Sequence, residues 1–273
     1  MLKDGYLNNI YYRYWKTDKK EIANIFSIHG LGGHCIWFDN AAGLFNQKGI
    51  SYFSFDLPGF GQSKYKKGTI DSYDTWVSVT KETIENFLVT LSVNSPVFIL
   101  GHSLGALIAI LLSENVKANG WILSVPGFEG KKELWPFFKV VLPILTKAVI
   151  TPDENIALPF GPELLTKNKE TQIKIKKDPY RIINPSAALL MQVYLLSNKT
   201  KKINTLPKDP TLVLVASEDK ICSNTATEDY FEKLINPNKC MKAYTNFFHD
   251  LFVEDDLSVL VDDISAWIVN HNH

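Results

Sequence analysis

The chain has 273 residues, 45% of them hydrophobic and 21% charged, and its 29 Lys+Arg balance 29 Asp+Glu. That composition excludes a globally disordered chain and supplies a core for one large domain, or for a core with an inserted subdomain. Zero net charge argues against a dedicated nucleic-acid binder, and with Arg13 and Arg181 as the two arginines, phosphate recognition by arginine forks is nearly unavailable.

Cys35, Cys222 and Cys240 are widely spaced and form no C-x-x-C, so neither a disulfide framework nor a zinc site is indicated. The N-terminal stretch MLKDGYLNNIYYRYW lacks an apolar signal-peptide core. A reducing, cytoplasmic location is the expectation. Between Phe87 and Ser113 there is no Asp, Glu, Lys or Arg, a length that could span a bilayer. Asn94, Ser95, Pro96, Gly101, His102 and Ser103 interrupt the run, and a buried strand, a sharp turn and a buried helix explain it better.

In chain order, YLNNIYYRYW (6–15) reads as antiparallel strands, and NIFSIH (24–29) as a buried strand ending in a glycine loop. A helix over 35–48 and a strand over 51–56 follow, the latter ended by LPGFGQS. Asp71 or Ser72 can cap a helix running to Leu91. Strands are expected over 97–102, 121–126, 211–217 and 239–245, with helices over 104–116 and 256–269. Alternating strands and helices predict an α/β fold with a mostly parallel central sheet flanked by helices. From Gly127 to Leu206 the alternation breaks, and helical pieces are punctuated by seven prolines from Pro136 to Pro185. This stretch reads as a helical insertion, giving a core of 1–126 and 207–273 and a cap of 127–206.

The chemistry centres on GHSLGA (101–106), a G-x-S-x-G between an apolar strand and an apolar helix. As a bare string the motif arises by chance in about one chain in ten of this length, so its context and partners carry the weight. The glycines allow a sharp turn that lifts Ser103 clear of the sheet and aims a helix N-terminus at the reacting oxygen. A serine nucleophile needs a base, and the base an orienting carboxylate. His271 and His273 lie in the tail, His29 and His34 in the first glycine-loop region, and His102 should be turned elsewhere by the elbow. His249, after the sixth strand of the alternating series, remains as the base. SEDKIC (217–222) offers Glu218 and Asp219, and Asp219 is preferred. Asp250, next to the histidine, is expected to be solvated.

Two backbone N–H groups should hold the oxyanion: Leu104, directly after the nucleophile, and Leu31 in HGLGGH (29–34). That glycine loop has neither the Gly-Lys-Ser/Thr of a P-loop nor G-x-G-x-x-G spacing. Asp56 and the glycines of DLPGFGQS (56–63) are read as holding a tight structural loop beside the site.

HGLGGH, DLPGFGQS, GHSLGA, SEDKIC and FFHD (247–250) resemble, across nearly the whole chain, the monoacylglycerol lipase and lysophospholipase branch of the α/β-hydrolases, which shades into serine-aminopeptidase-type hydrolases. KKDPY (176–180), LPK (206–208) and Cys222 follow that branch in order and spacing, whereas Leu104 stands where methionine is frequent. The resemblance implies an α/β-hydrolase fold, a Ser103–Asp219–His249 triad, Leu31 and Leu104 amides as oxyanion hole, no cofactor or metal, and a mobile helical cap. The expected substrate is a small ester or lipid. The cap segment ELWPFFKVVLPILTKAVI (133–150) is rich in aromatics and aliphatics that can line an acyl pocket or touch a membrane interface. Gly30, Trp135, Phe138 and Cys222 are the candidate substrate contacts. The alternatives are short-chain esterase, thioesterase, acyltransferase, aminopeptidase or carbon–carbon hydrolase. For the aminopeptidase reading the sequence offers no clear acidic pocket for a substrate amino group, although Glu163 and Asp178 lie in the cap. A non-catalytic binding module is a further reading, and haloalkane dehalogenation is excluded because Ser103 stands where a carboxylate is needed.

Overall fold

Side chains on the central strands are apolar on both faces, and this requires a sheet covered on both sides. In the computed structural model, which describes residues 2–90, 94–206 and 209–271, eight strands form one such sheet in the order β1-β2-β4-β3-β5-β6-β7-β8. The side chains of residues 137 and 138 also lie outside the described set. β1 (Leu2–Leu7) and β2 (Ile10–Trp15) form an antiparallel hairpin, and β2 pairs antiparallel with β4 (Ile50–Phe55). The remaining strands are parallel: β3 (Ala23–Ile28), β5 (Val97–His102), β6 (Gly120–Ser124), β7 (Thr211–Ala216) and β8 (Lys239–Tyr244).

Period-two alternation along each strand divides the core. Phe26, Phe53 and Ile99 pack on the face covered by α2 (Tyr73–Thr90) and α3 (Leu104–Leu112). Ile25, Tyr52 and Phe98 pack on the other, beneath α1 (Asp39–Gln47) and α9 (Leu257–Asn270). The uncharged run resolves into the end of α2, β5 and α3, every residue of α3 being buried; residues 91–93 of the run lie outside the described set. Among the described residues no helix is long and apolar enough to cross a membrane. Ser72 caps α2, its Oγ accepting the Asp74 N–H at 3.1 Å.

Between β6 and β7 come a π-helical turn at Phe137–Val141 and then α4 (Leu142–Ile150), α5 (Pro162–Leu165), α6 (Lys169–Lys177) and α7 (Ala187–Thr200). Proline stands in the first turn of α4 and α5, where its missing N–H costs nothing. α4 buries Ile144 and leaves Leu142, Val149 and Ile150 exposed.

Two elements depart from the sequence reading. The helix expected over 35–48 begins as a 3-10 turn, Cys35–Phe38, before α1. A helix not anticipated, α8 (Asn224–Lys233), lies between β7 and β8; Ser223 caps it by accepting the Ala226 N–H at 3.3 Å.

Candidate active site

Parallel strands deliver their following loops to one edge of the sheet, the usual ligand edge of an α/β fold. The loops after β3, β5, β7 and β8 carry Leu31, Ser103, Asp219 and His249 to that edge. Ser103 adopts φ 53 and ψ −111, a conformation that strains a residue with a side chain. The surroundings hold it there. Its N–H donates to Ser124 O at 2.9 Å, and its carbonyl accepts from Ala106 N at 3.1 Å and Gly127 N at 3.2 Å. The glycines flanking it are required by close approach. A Cβ on Gly101 would overlap the backbone at Gly105 and Ala106, and one on Gly105 would overlap the Ile28 carbonyl.

The structure brings three of the expected residues together. His249 Nδ1 donates to Asp219 Oδ2 at 2.8 Å, and Ser103 Oγ donates to His249 Nε2 at 3.0 Å. All three side chains are buried or nearly so. Asp219 Oδ1 accepts two further N–H groups, from Ile221 at 2.7 Å and Cys222 at 2.9 Å. Glu218 is turned away to pair with Lys167 at 2.9 Å.

Burial opposes charge on both partners, pushing the Asp219 carboxyl up and the His249 imidazolium down. Their mutual attraction, with the backbone donors on Asp219, outweighs that cost: Asp219 ends below the usual carboxylate range and His249 above the usual imidazole value. A raised folded-state value means that the charged His249 stabilises the fold below about pH 6.5, and that this contribution fades as pH rises through the folded value. The depressed Asp219 contributes above about pH 3.9 and loses its effect as pH falls through its folded value. A base must be neutral to act. The acid limb of kcat/KM is therefore expected above pH 6.5, and in the residual activity of Asp219→Asn it should move lower, since burial remains and the attraction is gone. A pH–rate profile of both proteins checks this; a wild-type limb well below 6.5 would contradict it.

On the β3 side, Gly33 N donates to Gly30 O at 3.2 Å, closing a turn with Leu31 and Gly32 at its centre. Gly32 has φ +82, the position at which such a turn demands glycine. His29 anchors the loop base: its Nε2 accepts the Leu57 N–H at 3.0 Å, so its Nδ1 is the donor to Gly30 O at 2.8 Å. Burial pushes its imidazolium down to about 4, which keeps it neutral. Asp56 holds the other end, accepting Cys35 N at 2.8 Å and Gln62 N at 2.6 Å. DLPGFGQS is thus a buttress of the glycine loop. Leu104, as the first residue of α3, has its N–H ahead of the helical hydrogen-bond ladder.

A cavity of about 600 Å³ opens on these groups, within the usual range for ligand pockets. Its lining includes Gly30, Leu31, Leu104, Trp135 and Cys222 together with Ser103 and His249. Trp135 packs against Gly130, where a Cβ would collide with the indole. The side chain of Phe138 lies outside the described residues. Asp219, Cys222 and His249 bring a carboxylate oxygen, a sulfur and a ring nitrogen within 4.8 Å of one another. Burial, then the Asp219 charge, pushes the Cys222 thiol well up, so it is a neutral thiol rather than the thiolate a metal prefers.

Sequence reasoning misplaced Asp250 and missed Glu254. Asp250 is buried rather than solvated: the 3-10 turn Leu251–Val253 folds back over it, with Phe252 N donating to its Oδ1 at 3.1 Å. Burial raises its carboxyl to about 6. His102 is also buried, its ring centroid 5.4 Å from that of His249. Glu254 accepts Phe248 N at 2.8 Å and Thr166 Oγ1 at 2.7 Å, tying the histidine loop to the segment after α5.

A strained serine at a strand–helix turn, facing an imidazole backed by a carboxylate, on a mostly parallel sheet with helices on both faces, defines an α/β-hydrolase. The serine aminopeptidase S33 model (Hydrolase_4) matches residues 19–256, and the chain belongs to that family. It is similar to a monoglyceride lipase homolog of Monkeypox virus, 30% identical with 96% of this chain and 94% of the relative covered. It is also similar to the monoglyceride lipase of Rattus norvegicus, 26% identical over 95% and 86% of the two chains. Among solved structures, the monoacylglycerol lipase of Paleococcus ferrophilus superposes with a TM-score of 0.81 at 25% identity, covering 96% of this chain and 99% of that one. With such relatives the chain is an enzyme, a serine ester hydrolase.

Proposed function

We propose that this enzyme hydrolyses long-chain acyl esters, monoacylglycerols or lysophospholipids, through Ser103, His249 and Asp219. The observation that carries the proposal is the cavity itself: the serine–imidazole pair opens onto apolar walls of Leu107, Phe128, Ile144, Leu190 and Val193, suited to an acyl chain. Glu129, Lys132, Asn198 and Lys201 are also in the lining, where a polar head group can be met. The relatives named as monoglyceride lipases support the same substrate class.

In this reading Ser103 Oγ attacks the ester carbonyl as its proton passes to His249 Nε2, while Asp219 holds the tautomer and stabilises the imidazolium. The Leu31 and Leu104 amides receive the oxyanion. His249 then protonates the departing alkoxide, releasing the alcohol and leaving the acyl group on Ser103. Water, deprotonated by His249, attacks that ester, and collapse frees the fatty acid and the serine. Residues 127–206 act as a cap over a core of 1–126 and 207–273, with Gly30, Trp135 and Cys222 of the cavity lining beside the substrate. The exposed Leu142, Val149 and Ile150 on α4 suit peripheral contact with the membrane that supplies the lipid, from the cytoplasmic side.

Capture of a peptide amino group finds less support. Asp178 is engaged by His34 and Trp37, and Glu163 is absent from the described cavity lining. The test is a graded series of 1-monoacylglycerols and lysophospholipids from short to long acyl chains, with Ser103→Ala as blank. Serine-dependent rates should rise with chain length. A preference for short chains would overturn the lipid reading, and turnover of aminoacyl substrates alone would favour the aminopeptidase.

A further inference from the structure

The strongest unexplained cluster lies where the cap segment after α6 crosses the glycine loop. Asp178 Oδ2 accepts two donors from the core, His34 Nε2 at 2.6 Å and Trp37 Nε1 at 2.8 Å. Its Oδ1 accepts the Tyr180 N–H at 2.9 Å, which sets the carboxylate in that orientation. Four residues on, Ile182 N donates to Gly32 O at 3.1 Å. The chains touch so closely there that a Cβ on Gly32 would lie 2.8 Å from Ile182 O. The Tyr180 ring meets the His34 ring edge-on, with centroids 5.8 Å apart. Burial pushes the Asp178 carboxyl up, but the donors from His34 and Trp37 prevail and hold it down at about 2, so it is charged at any working pH.

These tethers all fall on one short stretch. Leu31 sits between Gly30 and Gly32, and its amide is the oxyanion donor in the function proposed above, on which this inference rests. A loop built of Gly30, Gly32 and Gly33 has little stiffness of its own. His29 and Asp56 hold it from the core side. From the cap side it is held by Ile182 and, through His34 and Trp37, by Asp178. Oxyanion donors act only within about 2.7–3.1 Å of the developing charge, and a misplacement of about 1 Å can cost a factor of order 10².

We propose that Asp178 is a positioning residue for the oxyanion loop: the cap, through its carboxylate and the Ile182–Gly32 hydrogen bond, sets the Leu31 amide for the transition state. Hydrolysis is thereby coupled to cap placement without the cap touching the reacting atoms. The coupling predicts a loss in kcat that does not depend on the acyl chain.

The experiment measures kcat and KM of Asp178→Ala and Asp178→Asn on a short p-nitrophenyl ester and a long-chain monoacylglycerol. Affinity for a trifluoromethyl ketone, which mimics the tetrahedral state, and the thermal midpoint are measured alongside. Asp178→Ala should lower kcat roughly 10- to 100-fold on both substrates with little change in KM, and ketone affinity should fall in parallel. Asp178→Asn keeps the shape but offers one oxygen for three donors, and it should show a smaller loss of the same kind. It serves as the variant of record if the alanine protein does not fold. A lowered thermal midpoint with unchanged kcat would reduce Asp178 to a stability role and overturn the proposal. A KM effect confined to the long substrate would overturn it in favour of direct substrate contact. Ser103→Ala, run in parallel, separates the two levels. If it stays active the proposed function fails, whereas if it is inactive and the Asp178 variants are unimpaired, only the positioning role fails.

Discussion

Ser103→Ala and His249→Ala should each lower kcat by about 10⁶-fold, and the double variant should lose no more than either alone. The reason is geometric. Ser103 Oγ and His249 Nε2 share one hydrogen bond at 3.0 Å, so removing either ends proton transfer at the same bond, and nothing remains for the second change to remove. Residual catalysis of about 10³–10⁴ over water should survive in all three, supplied by substrate binding and the oxyanion donors. Asp219→Asn should cost less, about 10⁴-fold, because it removes tautomer control and leaves both reacting atoms in place. Steady-state rates on a soluble long-chain ester check the set. Additive losses in the double variant would mean that Ser103 and His249 act in separate steps.

Gly105→Ala should abolish the folded enzyme, a loss beyond about 4 kcal/mol. Alanine is ordinarily the better helix residue by about 1 kcal/mol. Here α3 approaches β3 so closely that the added methyl would overlap the Ile28 carbonyl, with its carbon 2.7 Å away and the His29 carbonyl oxygen 2.9 Å away. The obstacle is backbone on both sides, so no side chain can swing aside. Relief requires α3 to move off the sheet, and α3 carries Ser103 at its N-terminus and buries every residue along its length. Soluble yield and the thermal midpoint measure the effect. A folded, active Gly105→Ala protein would show that the helix–strand spacing is looser than described.

The parallel strands were legible because they are buried on both faces. β3, β4, β5 and β7 are buried at every residue, so they appear in the sequence as mostly apolar runs with no Asp, Glu, Lys or Arg. Ser103 and Asp219 were legible for a different reason, since each sits just past such a run, where loops reach the ligand edge; His249 follows the largely exposed edge strand β8 and was found by elimination among six histidines. Other features left little local trace. α8 reads NTATEDYFEK and buries only Thr227 and Tyr230, too few apolar positions for a helical period. The burial of Asp250 comes from a chain reversal after it, and a charged residue beside the base reads as surface until that turn is seen. Asp178 meets Trp37 and His34 across 141 and 144 residues, a contact made by the fold alone. KKDPY could be noticed as a string, but its partners could not. Glu254 is similar: VED reads as a polar helix approach, whereas the carboxylate is buried and ties two loops together.

The central claim is that an acyl group passes through Ser103, and covalent trapping tests it most directly. The protein, incubated with a long-chain fluorophosphonate, is digested and the modified peptide is sequenced by mass spectrometry. The geometry predicts one adduct per chain, on Ser103, forming fastest above the His249 pKa, where the base is neutral, and slowed in His249→Ala. A folded protein that takes no label at Ser103, or that labels at another serine while hydrolysing its ester, would contradict the account.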